Sequence, residues 1–389
     1  MILEKLCSVF TDGDWIESKD QSPSGIRLIQ TGNIGEGVFL DKEEHAKYIS
    51  EATFEELKCT EIFPGDILIS RLPDPVGRAC IVPDKEERMI TAVDCSICRV
   101  KNDLIDTHYL CYYLQSNQYY KQLDQNVTGT TRKRISRKNL GNVEVTVPAL
   151  DKQYEVVQIL DKVSSAILDK KKQLELFDEL IKSRFVELFG DPETNPYGWE
   201  KATVGEVCSS IVRGPFGSAL KKEFFVEPSE ATYKVYEQKH AIQKSATIGT
   251  YYVTAEKFDE LRRFECVAGD ILMSCSGTMG ELYQLPEGCE KGLINQALCK
   301  FTLNKKILPI VFLTYMKQTI GNLETKGSGI QNIAAVSYVK AMPINLAPME
   351  VQEQFAAFVD QTDKSKVAIQ KSLNEMQVLY DKLMQEFFG

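Results

Sequence analysis

Residues 128–138 read Thr-Gly-Thr-Thr-Arg-Lys-Arg-Ile-Ser-Arg-Lys, with no acidic residue among them. Arg132, Lys133, Arg134, Arg137 and Lys138 bring five cations into this short stretch, and Thr130 adds a hydroxyl. Arginine and lysine at that density neutralise phosphates and release counterions. An arginine fork also fits the two acceptors of guanine in the major groove. The same charges would equally suit a solvated loop that neutralises the acidic helix that follows.

A second set of polar residues could bond base edges. Gln30, Thr31 and Asn33 follow the apolar run Ile26–Ile29, and Glu237, Gln238, Lys239 and His240 follow Tyr233–Tyr236. Turn residues would look the same. The loops 71–78 and 274–280 also follow matched apolar runs, and they offer Arg71, Arg78 and Ser276. The counterpart of the basic run, Ser-Gly-Ile-Gln-Asn at 328–332, carries no charge. Candidate phosphate contacts in the second copy are Lys326, Ser328, Lys340, Arg262, Arg263 and Lys239.

Catalytic constellations are missing. A methyltransferase acting on adenine needs Asn/Asp-Pro-Pro-aromatic. Asn195-Pro196-Tyr197 is one proline short and sits in a linker. There is no G-x-x-x-x-G-K-S/T nucleotide loop, and the glycines at 32, 35 and 37 are wrongly spaced for a dinucleotide. The run Pro83-Asp84 with Glu86, Glu87 and Arg88 reads as a solvated charged turn. Three histidines and no placed nucleophile point to no active site. Eleven cysteines at irregular spacing suit a reducing compartment rather than a disulfide framework. Cys95-x-x-Cys98 lacks two further zinc ligands. Cys98 matches Cys299, as Cys7 matches Cys208, so these thiols read as core and not as a metal site.

The elements that must hold these residues occur twice. From Asp151 to Gly190 there is no proline and no internal glycine, and helix formers dominate. Leu160, Val163, Ile167, Leu174, Phe177, Ile181 and Leu188 recur at steps of three and four, with Lys170 and Arg184 on the same stripe. That is a coiled-coil seam. A shift of 199 residues turns it into Val359, Thr362, Lys366, Ile369, Leu373, Met376, Tyr380, Leu383 and Phe387, and turns Phe189-Gly190 into Phe388-Gly389. The two helices are expected to pack antiparallel, with Arg184 near Thr362 or Lys366. Leu174 and Phe177 are expected to meet Ile369, Leu373 and Met376.

Before each helix lies a unit of short strands. Ile67–Ile69, Ala79–Val82, Ser96–Val100 and Val143–Val147 read as strands, and Thr107–Gln122 reads as one helix. Pro64-Gly65-Asp66-Ile67-Leu68 returns as Ala268-Gly269-Asp270-Ile271-Leu272, and Ser96–Val100 returns as Ala297–Phe301. The class is α+β. The boundaries are a first domain at 1–150, its helix at 151–190, a second domain with its leading linker at 191–348, and the second helix at 349–389. The 389 residues carry a net charge of −9, which argues against nucleic acid only as an average. No run of 18 apolar residues and no leader pattern is visible, so the expected location is the cytoplasm, with no membrane contact.

Two diverged units, each with a Gly-Thr/Ser-x-x-x-x-Ile segment and then a proline, a glutamine and a long helix, resemble the DNA-specificity subunit of type I restriction–modification enzymes. The pieces that carry the likeness are Pro64–Leu68, Gly129–Ser136, Pro148 with Gln153, and Asn195–Glu200. The resemblance implies a non-catalytic subunit. Its two target recognition domains each read half of a split site in double-stranded DNA. Its antiparallel helices set the distance between them and dock two methyltransferase subunits and the restriction/translocase subunits. S-adenosylmethionine, ATP and Mg would then belong to those partners, with no cofactor in this chain. A coiled-coil scaffold whose globular units bind proteins is the rival reading, and a self-contained methyltransferase is a third.

Overall fold

The computed structural model describes all residues except 130–132, 192–193 and 326–335, and residues 217 and 321–325 by backbone only. The chain divides into two compact units. The first joins Met1–Lys172 to Gln370–Gly389, and the second is Gln173–Ile369.

Each unit repeats one frame. In the first, a four-stranded antiparallel sheet has the order Cys7–Asp12, Cys95–Val100, Ile67–Ser70, Ala79–Ile81. In the second, the order is Cys208–Arg213, Leu298–Leu303, Ile271–Ser274, Leu282–Gln284. Each unit has a second sheet, five-stranded in the first and four-stranded in the second, centred on one parallel pair: Ile26–Ile29 with Met89–Thr91, and Thr232–Tyr236 with Gly292–Ile294. The repeated Gly-Asp-Ile-Leu is the turn that starts a central strand. Gly65 and Gly269 hold φ of +87° and +86°, where glycine is unstrained. Asp66 then accepts the Phe63 N–H at 2.9 Å, and Asp270 accepts the Val267 N–H at 3.0 Å.

Both parallel pairs hide a cation. Arg27 and Lys234 are 2% and 1% exposed within otherwise apolar strands. Arg27 donates to Glu87 at 2.6 Å and also pairs with Asp41, while Lys234 meets Glu290 at 3.0 Å. Glu87 is thus a structural counterion, not part of a solvated turn, and Arg88 beside it forks onto Glu61 and Glu51.

Three sequence readings change. Thr107–Gln122 is two helices, Thr107–Tyr113 and Asn117–Asp124, because the Ser116 hydroxyl caps the second by accepting from the Tyr119 N–H. Val143–Val147 forms only a bridge between Glu144 and Ile2, whereas its counterpart Pro343–Leu346 pairs as a strand with Glu200–Thr203. Cys98 corresponds to Phe301 and not to Cys299, since Ile67 faces Cys98 and Ile271 faces Phe301. That slip is two residues, which leaves every side chain on its own face of the strand, so hydrophobic patterning could not detect it. The match of Cys7 with Cys208 stands, and Cys7, Cys95, Cys98, Cys208 and Cys299 are all buried.

The long helices run Leu150–Phe189 and Met349–Phe388, 40 residues each, or about 60 Å. Every residue of the expected seam is buried or half-buried. The helices pack antiparallel. In the first unit Val156 and Leu160, early in one helix, share a core with Tyr380, Leu383 and Phe387, late in the other. In the second, Ile181 and Leu188 share a core with Phe355 and Val359. Arg184 lies over the Phe358 ring and pairs with Glu187, one turn short of Thr362. Lys366 meets Asp178 at 2.6 Å, so Arg184 and Lys366 find carboxylates instead of each other. The terminal phenylalanines are exchanged. Phe388 packs edge-on against Tyr109 and Tyr113 in the first unit, and Phe189 packs against Phe185 and Phe355 in the second.

One buried glutamine bolts each helix to the domain before it. The Gln153 carboxamide accepts from Asp106 N at 2.8 Å and donates to Leu104 O and Pro148 O at 3.2 and 2.8 Å. Gln352 repeats this with Leu308 N, Lys306 O and Ala347 O, each at 2.9 Å. Replacing Gln352 with Leu keeps the volume but orphans three backbone groups. The variant is expected to lose about 1–3 kcal/mol or more, read as a lower urea midpoint. An unchanged midpoint would show that the carboxamide is dispensable.

Candidate nucleic-acid interface

The basic segment of the first domain hangs from one end of its four-stranded sheet. Thr128 and Arg134 exchange backbone hydrogen bonds at 3.0 and 2.9 Å. Ile135 is fully buried, and its N–H donates to Arg71 O at 3.2 Å, which pins the segment to the end of strand Ile67–Ser70. Ser136 then caps the short helix Arg137–Gly141. Lys133, Arg134, Arg137 and Lys138 are exposed. Arg134 is held by Asp94 at 2.8 Å, and among the described residues the other three form no ion pair. Thr130 and Arg132 lie outside the described residues.

Several expected contacts have structural work instead. Arg71 is 5% exposed, sits 3.3 Å from the Asp12 carboxylate and donates to Val93 O at 2.6 Å. Its burial lowers its pKa. Arg78 donates to Ile34 O at 2.6 Å, Thr31 O at 2.8 Å, and Leu72 O and Pro75 O at 3.1 Å. It staples the loop at 72–76 to the turn at 31–34, which takes four of its five N–H donors. Gln30 and Asn33 form a reciprocal cap, each side chain bonding the other's backbone N–H. Glu237 and His240 form the same cap at the same place in the second domain. Thr31 and Gln238, inside these turns, stay half-exposed.

The second domain brings its two loops together. Gln238 donates to Thr278 O at 3.3 Å, which sets its turn beside the exposed Ser276. Lys239 pairs with Glu237 at 2.7 Å above the Tyr251 ring. Arg262, Arg263 and Lys340 are exposed elsewhere on the unit. Lys326 and Ser328 lie outside the described residues. Sequence reasoning misses Asp94. Its signal is weak, a single carboxylate in a turn far along the chain from the cations that it faces. Among the described residues no group of three or more His, Cys, Asp or Glu is placed to hold a metal ion.

His240 is fully buried, with Nδ1 2.9 Å from Glu237 N and Nε2 2.7 Å from Ile248 O. A neutral ring with its hydrogen on Nε2 satisfies both bonds. Burial lowers its pKa below the ordinary 6.5. The unfolded chain therefore binds a proton that the folded chain refuses, and stability falls as pH drops through about 6.5. His240→Gln is expected to flatten the pH dependence of the unfolding midpoint between pH 7 and 5. Identical slopes in both proteins would exclude His240 as the source.

The type I restriction modification DNA specificity domain family matches residues 3–176 and again residues 196–376. A putative type I restriction enzyme specificity subunit of Haemophilus influenzae is 31% identical over 46% of this chain and 50% of its own length. One from Methanocaldococcus jannaschii is 22% identical over 44% of this chain and 40% of its own. The matches thus span half or less of those relatives. A structure concerned with complex assembly and conformational transition of the type I R-M system aligns over 100% of this chain and 96% of its own, with a TM-score of 0.62 at 15% identity. The type I S subunit from M. genitalium aligns over 100% and 95%, with a TM-score of 0.51 at 14% identity. Those likenesses concern the fold. Two tandem matches over most of the sequence, falling on the two copies of the frame, place the chain in the type I restriction modification DNA specificity domain family.

Proposed function

We propose that this chain is the DNA-reading subunit of a type I restriction–modification complex. Each domain reads one half of a split site in double-stranded DNA. The observation that carries the reading is one frame with two different sets of loops. The sheets, the Gly-Asp turns and the glutamine bolts recur, while the residues at the loop ends do not. Lys133, Arg137 and Lys138 supply phosphate contacts in the first domain. Lys239, Ser276 and the exposed cations of the second unit supply them there. The chain contributes recognition and no turnover. Methyl transfer, ATP use and cleavage belong to partner subunits, which would bring S-adenosylmethionine, ATP and Mg.

The helices are the docking surface for those partners. The first unit exposes Leu168 and Leu379, and the second exposes Val367 and Leu180. These are the same two helix positions, 199 residues apart, so each unit presents an equivalent apolar pair. Two equivalent surfaces fit two methyltransferase subunits.

Mapping methylated adenines genome-wide in cells with and without this chain tests the function. A split motif that disappears on deletion is the expected result, and an unchanged methylome would sink the reading. The basic segment has its own measurement. Changing Lys133, Arg137 and Lys138 to Ala is expected to weaken binding to all DNA. The salt slope should fall by about 0.9 for each phosphate no longer neutralised. An unchanged salt slope would return the segment to a solvated loop.

A further inference from the structure

Trp15 and Phe216 hold the same place in the two units. Each lies three residues beyond the edge strand of its four-stranded sheet, Cys7–Asp12 or Cys208–Arg213. Between strand and ring stands a glycine pressed against the next turn. Gly13 N donates to Cys95 O at 2.8 Å, and Gly214 N donates to Leu298 O at 2.9 Å. A Cβ on Gly13 would fall 2.3 Å from Thr91 O, and one on Gly214 1.8 Å from Asn295 O. Only glycine permits that approach. It fixes the path of the chain just before the aromatic.

The rings are left in solvent. Trp15 is 70% exposed and Phe216 is 90% exposed. A single exposed aromatic is ordinary on a protein surface. Two at matched positions, in copies whose loops otherwise differ, point to a retained physical property. Charged residues of both signs lie near the rings: Trp15 Nε1 donates to Glu17 Oε1 at 3.3 Å, Glu17 pairs with Lys19, and Lys221 pairs with Glu223. In the first unit Asp14 bridges to Ala92, and Asp94, two residues on, holds Arg134 of the basic segment. In the second, exposed Lys221 and Lys222 follow Phe216 closely. A large flat apolar group left in solvent is complementary to the faces of stacked bases. Apolar side chains so placed enter between base pairs and unstack them.

We propose that Trp15 and Phe216 are the DNA wedges of the two domains, each inserting its ring at one base step of its own half-site. The proposal rests on the DNA-reading function and adds to it. A wedge makes part of the recognition indirect, because flexible pyrimidine–purine steps open at lower cost than stiff ones. Specificity then arises at a step where no hydrogen bond reads a base.

The test uses the full chain in complex with its methyltransferase subunits. Duplexes carrying the mapped site are labelled with 2-aminopurine at successive steps of each half. The native complex is expected to raise the fluorescence at one step per half-site. Trp15→Ala is expected to abolish the rise in one half only, Phe216→Ala in the other. Each change should weaken binding roughly 5- to 150-fold, the range for removal of one ring that stacks on a base. Trp15→Phe and Phe216→Trp should keep both signals. Both side chains are exposed, so the alanine variants should unfold at the native midpoint. Tight binding with no fluorescence rise, or alanine variants with native affinity and signal, would overturn the wedge while leaving the DNA-reading function intact. Failure of the native complex to bind any site-bearing duplex would overturn both.

Discussion

The architecture depends on one hydrogen-bonding arrangement, the buried carboxamide in the first turn of each long helix. Gln153 and Gln352 are 0% and 1% exposed, and each ties three backbone groups together. A buried amide with its partners in place is strongly directional, since any shift leaves groups unpaired. Apolar packing alone would allow the helix to roll or slide against its domain. The glutamine removes that freedom. It turns a helix start and a globular body into one rigid piece, which is what a domain that must present loops in a set direction requires.

A second constraint explains why so many polar residues near the loops are unavailable to a ligand. A short sheet whose strands end in long loops leaves many backbone carbonyls and N–H groups without ladder partners. Arg78 satisfies four carbonyls in two loops, and the caps at Gln30–Asn33 and Glu237–His240 close the matching turns. These side chains give the loops their shape. The residues that shape does not need stay exposed, and in the first domain those include Lys133, Arg137 and Lys138. This division lets loop tips vary while the frame beneath them stays fixed.

The helices are legible in the sequence because their signals are local and repeated: a three-and-four stripe, helix formers throughout, and a shared Phe-Gly end. Their observed limits fall within one residue of the expected ones. The Gly-Asp turns are legible for the same reason. What stays hidden depends on partners far along the chain. Arg27 and Lys234 look like ordinary strand residues because Glu87 and Glu290 lie 60 and 56 residues away. A polar turn that reads bases and one that caps itself have the same composition, and only the partner atoms distinguish Asn33 or His240 from a reader. The two-residue slip between Cys98 and Cys299 has no hydrophobic cost to reveal it. Trp15 and Phe216 escape notice because their register becomes visible only once the strands are aligned.

The exchange of helix ends has an ancestral meaning. Phe189 completes the core that contains Phe355, and Phe388 completes the core that contains Tyr113. A chain of half this length, one domain with its helix, would lack the phenylalanine that its own core needs. A second identical copy would supply it, and the reciprocal gift would close the assembly without leaving an open edge. The present chain is geometrically equivalent to such a pair joined by a peptide bond. Joining them frees each half to diverge on its own, so the two sets of loops need not stay alike.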